Sequence, residues 1–150
     1  MDKGKTQLPK KVGSYILVSF LGKGMFGEVF KAHKESDPGT MYAVKSMSKA
    51  PLKKNPMLER LFNTEVGVMN RIRHDNIMPL YDLLETGNNY YLVMRLCSDG
   101  DFEQYLRKRN IDHVDEKEAI GYLKQMANAF RELQRNKVLF DSGFILRFSK

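Results

Sequence analysis

Three glycines, Gly22, Gly24 and Gly27, lie within six residues, and the chain after them alternates in polarity. The alternation is the stronger constraint. In "GEVFKAHKE" Val29, Lys31 and His33 fall on one face and Glu28, Phe30 and Ala32 on the other, which is the period of a strand and not of a helix. The preceding "YILVSF", Tyr15 to Phe20, is β-branched and aromatic and predicts a strand running into the glycines. A strand-loop-strand unit follows. Glycines in such a hairpin bring backbone N–H groups close to an anion such as a triphosphate, with no Cβ in the way. A hairpin without a ligand would tolerate the same glycines.

"SDPGT", Ser36 to Thr40, predicts a turn, and "MYAVKSM", Met41 to Met47, a third strand, so a three-stranded antiparallel meander is the simplest arrangement. A Lys- and Pro-rich loop then leads to a helix beginning near Pro56, since proline is tolerated in a first turn. Leu58, Leu61, Phe62, Val68, Met69 and Ile72 form its apolar side, with Glu65 on the side of Leu61, Phe62 and Met69. "HDNIM" closes that helix. "MPLYDLLET" and "YYLVMRL" predict two more strands joined by "GNN", and two helices follow, over 101–108 and 115–135. The second carries an apolar stripe of Ile120, Leu123, Met126, Ala127, Phe130 and Leu133.

The 150 residues suit one core, and a composition of 42% hydrophobic and 29% charged residues is that of a folded chain. A net charge of +7 suits an anionic partner without choosing among nucleotide, acidic peptide and nucleic acid. The single cysteine, Cys97, excludes an intramolecular disulfide and a cysteine-built metal site. No apolar run is long enough to span a membrane, and the basic arm over residues 1–14 lacks the apolar segment of a secretory signal. A cytoplasmic or nuclear location is therefore expected.

Lys45 stands in a strand that is otherwise apolar, where a cation is costly unless an anion meets it. Glu65, on the apolar side of the helix, carries the complementary problem. The two charges are jointly explained if they pair and the lysine also reaches phosphate. A snorkelling surface lysine is the plainer alternative. A Gly-x-Gly-x-x-Gly run alone is equally compatible with a dinucleotide-binding fold, which requires a helix directly after Gly27.

Gly22-x-Gly24-x-x-Gly27-x-Val29, then Ala43-Val44-Lys45, then Glu65 resembles the small lobe of eukaryotic protein kinases. "HDNIMPLYDLLET", "NNYYLVMRLCSDGDFEQYLRKR" and "AIGYLKQMANAFRELQRNKVL" extend the resemblance over 15–139, and their wording is similar to Ser/Thr kinases of the ULK-type or calcium/calmodulin-like groups. The resemblance implies an α+β fold. A small lobe of a five-stranded antiparallel sheet plus one helix, with the hinge, spans 15–97. The first two helices of a truncated large lobe span 98–139, and a divergent tail spans 140–150. It also implies a site for ATP and magnesium. Gly22, Gly24 and Gly27 would cover the phosphates, and Lys45 would bind them while pairing with Glu65. Leu21, Val29 and Ala43 would form the ceiling over adenine, with Met94 as gatekeeper. The Arg95 carbonyl and Cys97 amide would bond the adenine edge, and Asp101 would sit near the ribose. Met69 and Leu80 resemble members of the hydrophobic spine, although ordinary core packing explains them as well.

The resemblance stops before the chemistry. The family's H-R-D-L-x-x-x-N loop supplies the catalytic base and a magnesium ligand, and its D-F-G supplies the other metal ligand. Neither occurs in these residues. After "RNKVL" the chain reads "FDSGFILRFSK", so Phe140 takes the histidine's place, Ser142 the aspartate's, and Gln134 stands where relatives often carry histidine. The expectation is an ATP-binding portion of a Ser/Thr kinase that does not itself transfer phosphate, with no catalytic residue and no protein ligand for magnesium. The alternative is a non-catalytic module that binds a full-length kinase or another partner through its large-lobe helices. No nucleic-acid partner is expected.

Overall fold

The computed structural model describes residues 7–24, 27–98 and 102–136. The chain forms two compact units, Met1–Phe62 with Leu80–Leu96, and Asn63–Pro79 with Cys97–Lys150.

The first unit is built on one antiparallel sheet of six strands. These are β1 (Lys10–Val12), β2 (Tyr15–Gly24), β3 (Gly27–Lys34), β4 (Asp37–Ser48), β5 (Leu80–Glu85) and β6 (Asn89–Arg95), in the order β1-β2-β3-β4-β6-β5. A strand follows Gly27, so the dinucleotide-binding alternative lacks the helix it requires. One strand more is present than the sequence predicts. β1 lies in the basic N-terminal arm, where Gly13, at φ 57°, and Ser14 form a two-residue turn that pairs Val12 with Tyr15.

Period-two alternation gives this sheet two unlike faces. Val12, Tyr15, Leu17, Phe30, Ala32, Val44, Tyr91 and Val93 form a buried cluster on one of them. Phe30 pairs with Val44 and Val44 with Val93, and pairing in register puts partners on the same side. Val29, Lys45 and Leu92, one residue out of step, belong to the opposite face.

Two local expectations are corrected. The chain reverses at Glu35 and Ser36, not across "SDPGT", and Asp37 to Thr40 already belong to β4. The register jumps there from His33↔Met41 to Lys34↔Asp37, so Pro38, which has no N–H to give a ladder, sits in a bulge. The expected loop before Pro56 contains a short helix, α1 (Lys49–Lys54). Ser48 caps it by accepting from the Ala50 N–H, and Pro51 falls in the first turn, where its missing N–H breaks no bond. Asn55 then caps α2 (Pro56–Arg71), its Oδ1 accepting from the N–H groups of Met57 at 3.0 Å and Leu58 at 3.3 Å. This cap starts the helix where the sequence predicts.

The second unit contains the later part of α2, then α3 (Phe102–Arg109) and α4 (Glu116–Arg135). Its core is Val68, Ile72, Ile77, Ala129 and Leu133. The predicted α4 stripe is only partly buried: Leu133 is fully covered, while Ile120 is 42% and Leu123 61% exposed. Ala129, outside that stripe, is covered instead. Nδ2 of the buried Asn76 donates to Gln125 Oε1 at 2.9 Å and joins the segment after α2 to α4. No helix of the described residues is long and apolar enough to cross a membrane.

Candidate functional site

The sheet face opposite the buried cluster gathers most of the predicted site residues of the first unit. Gly22 pairs with Val29, Val29 with Lys45, and Lys45 with Leu92, so these four lie in one row across β2, β3, β4 and β6. The next row on the same face runs Lys31, Ala43, Met94 and Leu80. Ala43 and Lys45 are two residues apart on β4, roughly 7 Å along the strand. Val29, Ala43 and Lys45 are half-buried, and Met94 is buried. Lys45 thus stands among apolar side chains with an apolar floor beside it.

Leu21 is placed differently. The β2–β3 register slips between Phe20 and Gly22, which makes Leu21 the extra residue of a bulge and leaves it 48% exposed.

The three glycines divide into two kinds. A Cβ built on Gly27 would lie 1.9 Å from the Ser46 carbonyl oxygen of β4, and the residue sits at φ +153°. Gly27 is required by the strand packing itself. A Cβ on Gly22 or Gly24 would meet nothing within 4 Å. Nothing in the described chain requires glycine at those two positions, and the space above their backbone is open.

Arg95 ends β6, and Cys97 follows as an exposed free thiol. Lys45 belongs to the first compact unit, and Glu65, half-buried on α2, to the second. Met69 and Leu80 are buried core residues of their units. Asp101 and the segment 137–150, with Phe140, Ser142 and the "DSG" run, lie outside the described residues. Among the described residues no group of three or more His, Cys, Asp or Glu side chains is arranged to hold a metal ion.

Sequence reasoning missed two polar clusters. Lys49 is buried, with its Nζ donating to the Thr86 carbonyl at 2.5 Å and to the Glu85 carboxylate, 4.7 Å above the Tyr90 ring. Lys49 directly follows β4 and opens α1, and no local pattern in the sequence marks it for burial. The second cluster joins α3 to α4 around Glu118. Tyr105 donates to its carboxylate, Arg109 Nη1 at 2.8 Å and Tyr122 at 3.0 Å do the same, and Phe102 stacks on Tyr105. Hydrogen bonds from Tyr105 and then Arg109 hold the Glu118 carboxyl down at about 2. Burial, followed by the bonds to Tyr105 and Glu118, pushes the Tyr122 hydroxyl up.

The family model described as Protein kinase domain matches residues 15–141. The curated relatives are kinases by name, several of them serine/threonine-protein kinases. The chain is 37% identical over 135 residues to a "Hormonally up-regulated neu tumor-associated kinase homolog" of Xenopus tropicalis, covering 89% of this chain and 19% of that protein. It is 33% identical over 136 residues to the "Serine/threonine-protein kinase atg1" of Dictyostelium discoideum, covering 87% and 20%. With the human "Serine/threonine-protein kinase ULK3" the identity is 32% over 130 residues, covering 87% and 27%. The chain spans only about a fifth to a quarter of the length of these relatives.

Proposed function

This chain belongs to the protein kinase domain family, and on that premise we propose that it is the ATP-binding portion of a Ser/Thr kinase that does not transfer phosphate on its own. The observation that carries the reading is the division among the glycines. Gly22, at the end of the row that contains Lys45, and Gly24, two residues further along β2, keep backbone open where the fold does not ask for it. Open space above glycine backbone, beside a cation on an apolar floor, suits a triphosphate attached to a flat heterocycle.

In this reading Gly22, Gly24 and Gly27 cover the phosphates, and Lys45 binds them and pairs with Glu65. Leu21, Val29, Ala43 and Met94 enclose the base, Arg95 and Cys97 offer it backbone groups, and Asp101 faces the ribose. Magnesium is the family's metal. Transfer needs a carboxylate to take the substrate hydroxyl's proton and further side chains to hold metal. The 150 residues contain neither H-R-D nor D-F-G, the motifs that carry those groups.

Purified protein incubated with labelled ATP and a general Ser/Thr substrate tests both halves. Bound ATP without transfer is expected. Robust transfer that disappears in Lys45→Met would overturn the second half, and absence of ATP binding would overturn the first. The exposure of Ile120 and Leu123 on α4 favours a second reading, a non-catalytic module that binds a full-length kinase or another protein. A pull-down against intact relatives, with Leu123→Lys as the control, separates the two readings.

A further inference from the structure

Lys10 precedes residues 15–141, which match the protein kinase domain, yet it belongs to the sheet. It pairs with Leu17, and pairing in register puts it on the face of the buried cluster, where it is half-buried. Leu8 packs against that cluster and Val12 is a member of it, so the arm is anchored on both sides of Lys10. The Lys10 Nζ donates at 3.0 Å to the hydroxyl of Tyr91, a residue only 1% exposed. Asn89 Nδ2 donates to the same hydroxyl at 3.3 Å.

The Lys10–Tyr91 bond crosses most of the sheet. β1 is first and β6 fifth in the strand order, and the row through Lys10 runs Leu17, Ala32, Tyr42 and Arg95. Tyr91 lies four residues along β6 from the end of that row. At about 4.8 Å between strands and about 3.3 Å per residue, the two positions would stand about 23 Å apart in a flat sheet. Side chains perpendicular to such a sheet could not meet. The sheet is therefore curled with the cluster face inside, and this bond braces the curl. Ala32 and Val44, both fully buried, keep small side chains on the two strands in between.

The opposite face feels the curl through the strands themselves. Gly22 on β2, Lys45 on β4 and Leu92 on β6, next to Tyr91, share one row of that face. Relaxing the curl turns each strand relative to its neighbour and alters the spacing between the glycine backbone and the Lys45 ammonium. A hydrogen bond from a charged donor to a buried hydroxyl is among the stronger ones, so it favours the braced geometry over a looser one.

We propose that Lys10 is a positioning residue for the nucleotide site, setting through Tyr91 the curl of the sheet and with it the reach from Gly22 and Gly24 to Lys45. The inference rests on the ATP-binding reading above. Lys10→Met keeps the aliphatic stem and removes the donor, and Tyr91→Phe keeps the ring and removes the acceptor. If the braced curl is then held about a fifth of the time, apparent ATP affinity falls about fivefold. The double variant falls no further than either single one, because both changes remove the same bond. Lys10→Arg retains a charged donor and stays within about twofold of the parent.

The test is ATP titration of the parent and the four variants well below the unfolding temperature, with amide hydrogen exchange of β1 and β2 compared with that of β5. Weaker ATP binding in both single variants, no added loss in the double variant and faster exchange over β1 and β2 are expected. Unchanged affinity in a folded Lys10→Met protein would refute the positioning role, as would losses that multiply in the double variant, because those arise from separate defects. An equal rise in exchange over β5 would also refute it, since that is general loosening of the unit. Should Lys10→Met fail to fold, Tyr91→Phe carries the same expectations. If the parent protein binds no ATP, the functional reading falls by itself, and the exchange of β1 and β2 in the single and double variants still decides the brace.

Discussion

Replacing each glycine of the hairpin by alanine should separate what the fold needs from what a ligand needs. At Gly27 two penalties add. An L-residue held at a sparsely populated positive φ costs about 1–3 kcal/mol, and the new Cβ, 1.9 Å from the Ser46 carbonyl oxygen, must be relieved by moving backbone, typically about 1–3 kcal/mol more. Gly27→Ala is therefore expected to lose about 2–6 kcal/mol, which at roughly 2–4 °C per kcal/mol is a fall of several to about 20 °C in Tm. Gly22→Ala and Gly24→Ala meet open space, so their stability stays within about 1 kcal/mol of the parent, with a gain where restriction of the unfolded chain dominates. Their effect should appear in ATP affinity, because the added methyl groups occupy the space proposed for phosphate. Urea denaturation gives the first quantity and nucleotide titration at low temperature the second. A Gly27→Ala protein as stable as the parent would refute the steric argument. Full ATP affinity in the Gly22→Ala, Gly24→Ala double variant would refute the division of roles.

Two further expectations concern the helices. The Glu118 carboxyl, held at about 2 against an ordinary 4.5, contributes stability that is complete above pH 4.5 and is lost as the pH falls through about 2. Acid titration of unfolding free energy should therefore show the parent and Glu118→Gln converging toward pH 2, and parallel curves would contradict the Tyr105–Arg109–Glu118 network. Leu133→Ala, in the core with Val68, Ile72, Ile77 and Ala129, should cost about 2–5 kcal/mol in urea denaturation. Leu123→Ala, 61% exposed, should cost less than about 0.5 kcal/mol; equal losses at the two positions would mean that Leu123 is covered in solution.

Strand periodicity made the first sheet legible. Phe30 and Ala32 are buried while Val29 and Lys31 face the other way, as the alternation in "GEVFKAHKE" predicts. The rows that bring Gly22, Val29, Ala43, Lys45 and Met94 to one face follow from the same rule once the strands pair in register. β1 was hidden because three residues carry little periodicity, and α1 because a proline in a lysine-rich stretch looks like a loop unless Ser48 is recognised as a cap. The Leu21 bulge depends on pairing between strands, which no local pattern encodes. Lys49 was missed for a different reason. Its burial is decided by Glu85, Thr86 and Tyr90, all distant in sequence, and a lysine in isolation is expected in water.

The two faces of the sheet have a consequence for descent. Val44 and Lys45 are neighbours on one strand, yet the first belongs to the buried cluster and the second to the candidate site. Substitutions can accumulate on one parity of positions while selection for a folded body continues on the other. A lineage can thus lose or alter nucleotide handling without first losing the protein, and the body that remains is free to be recruited for its surface alone.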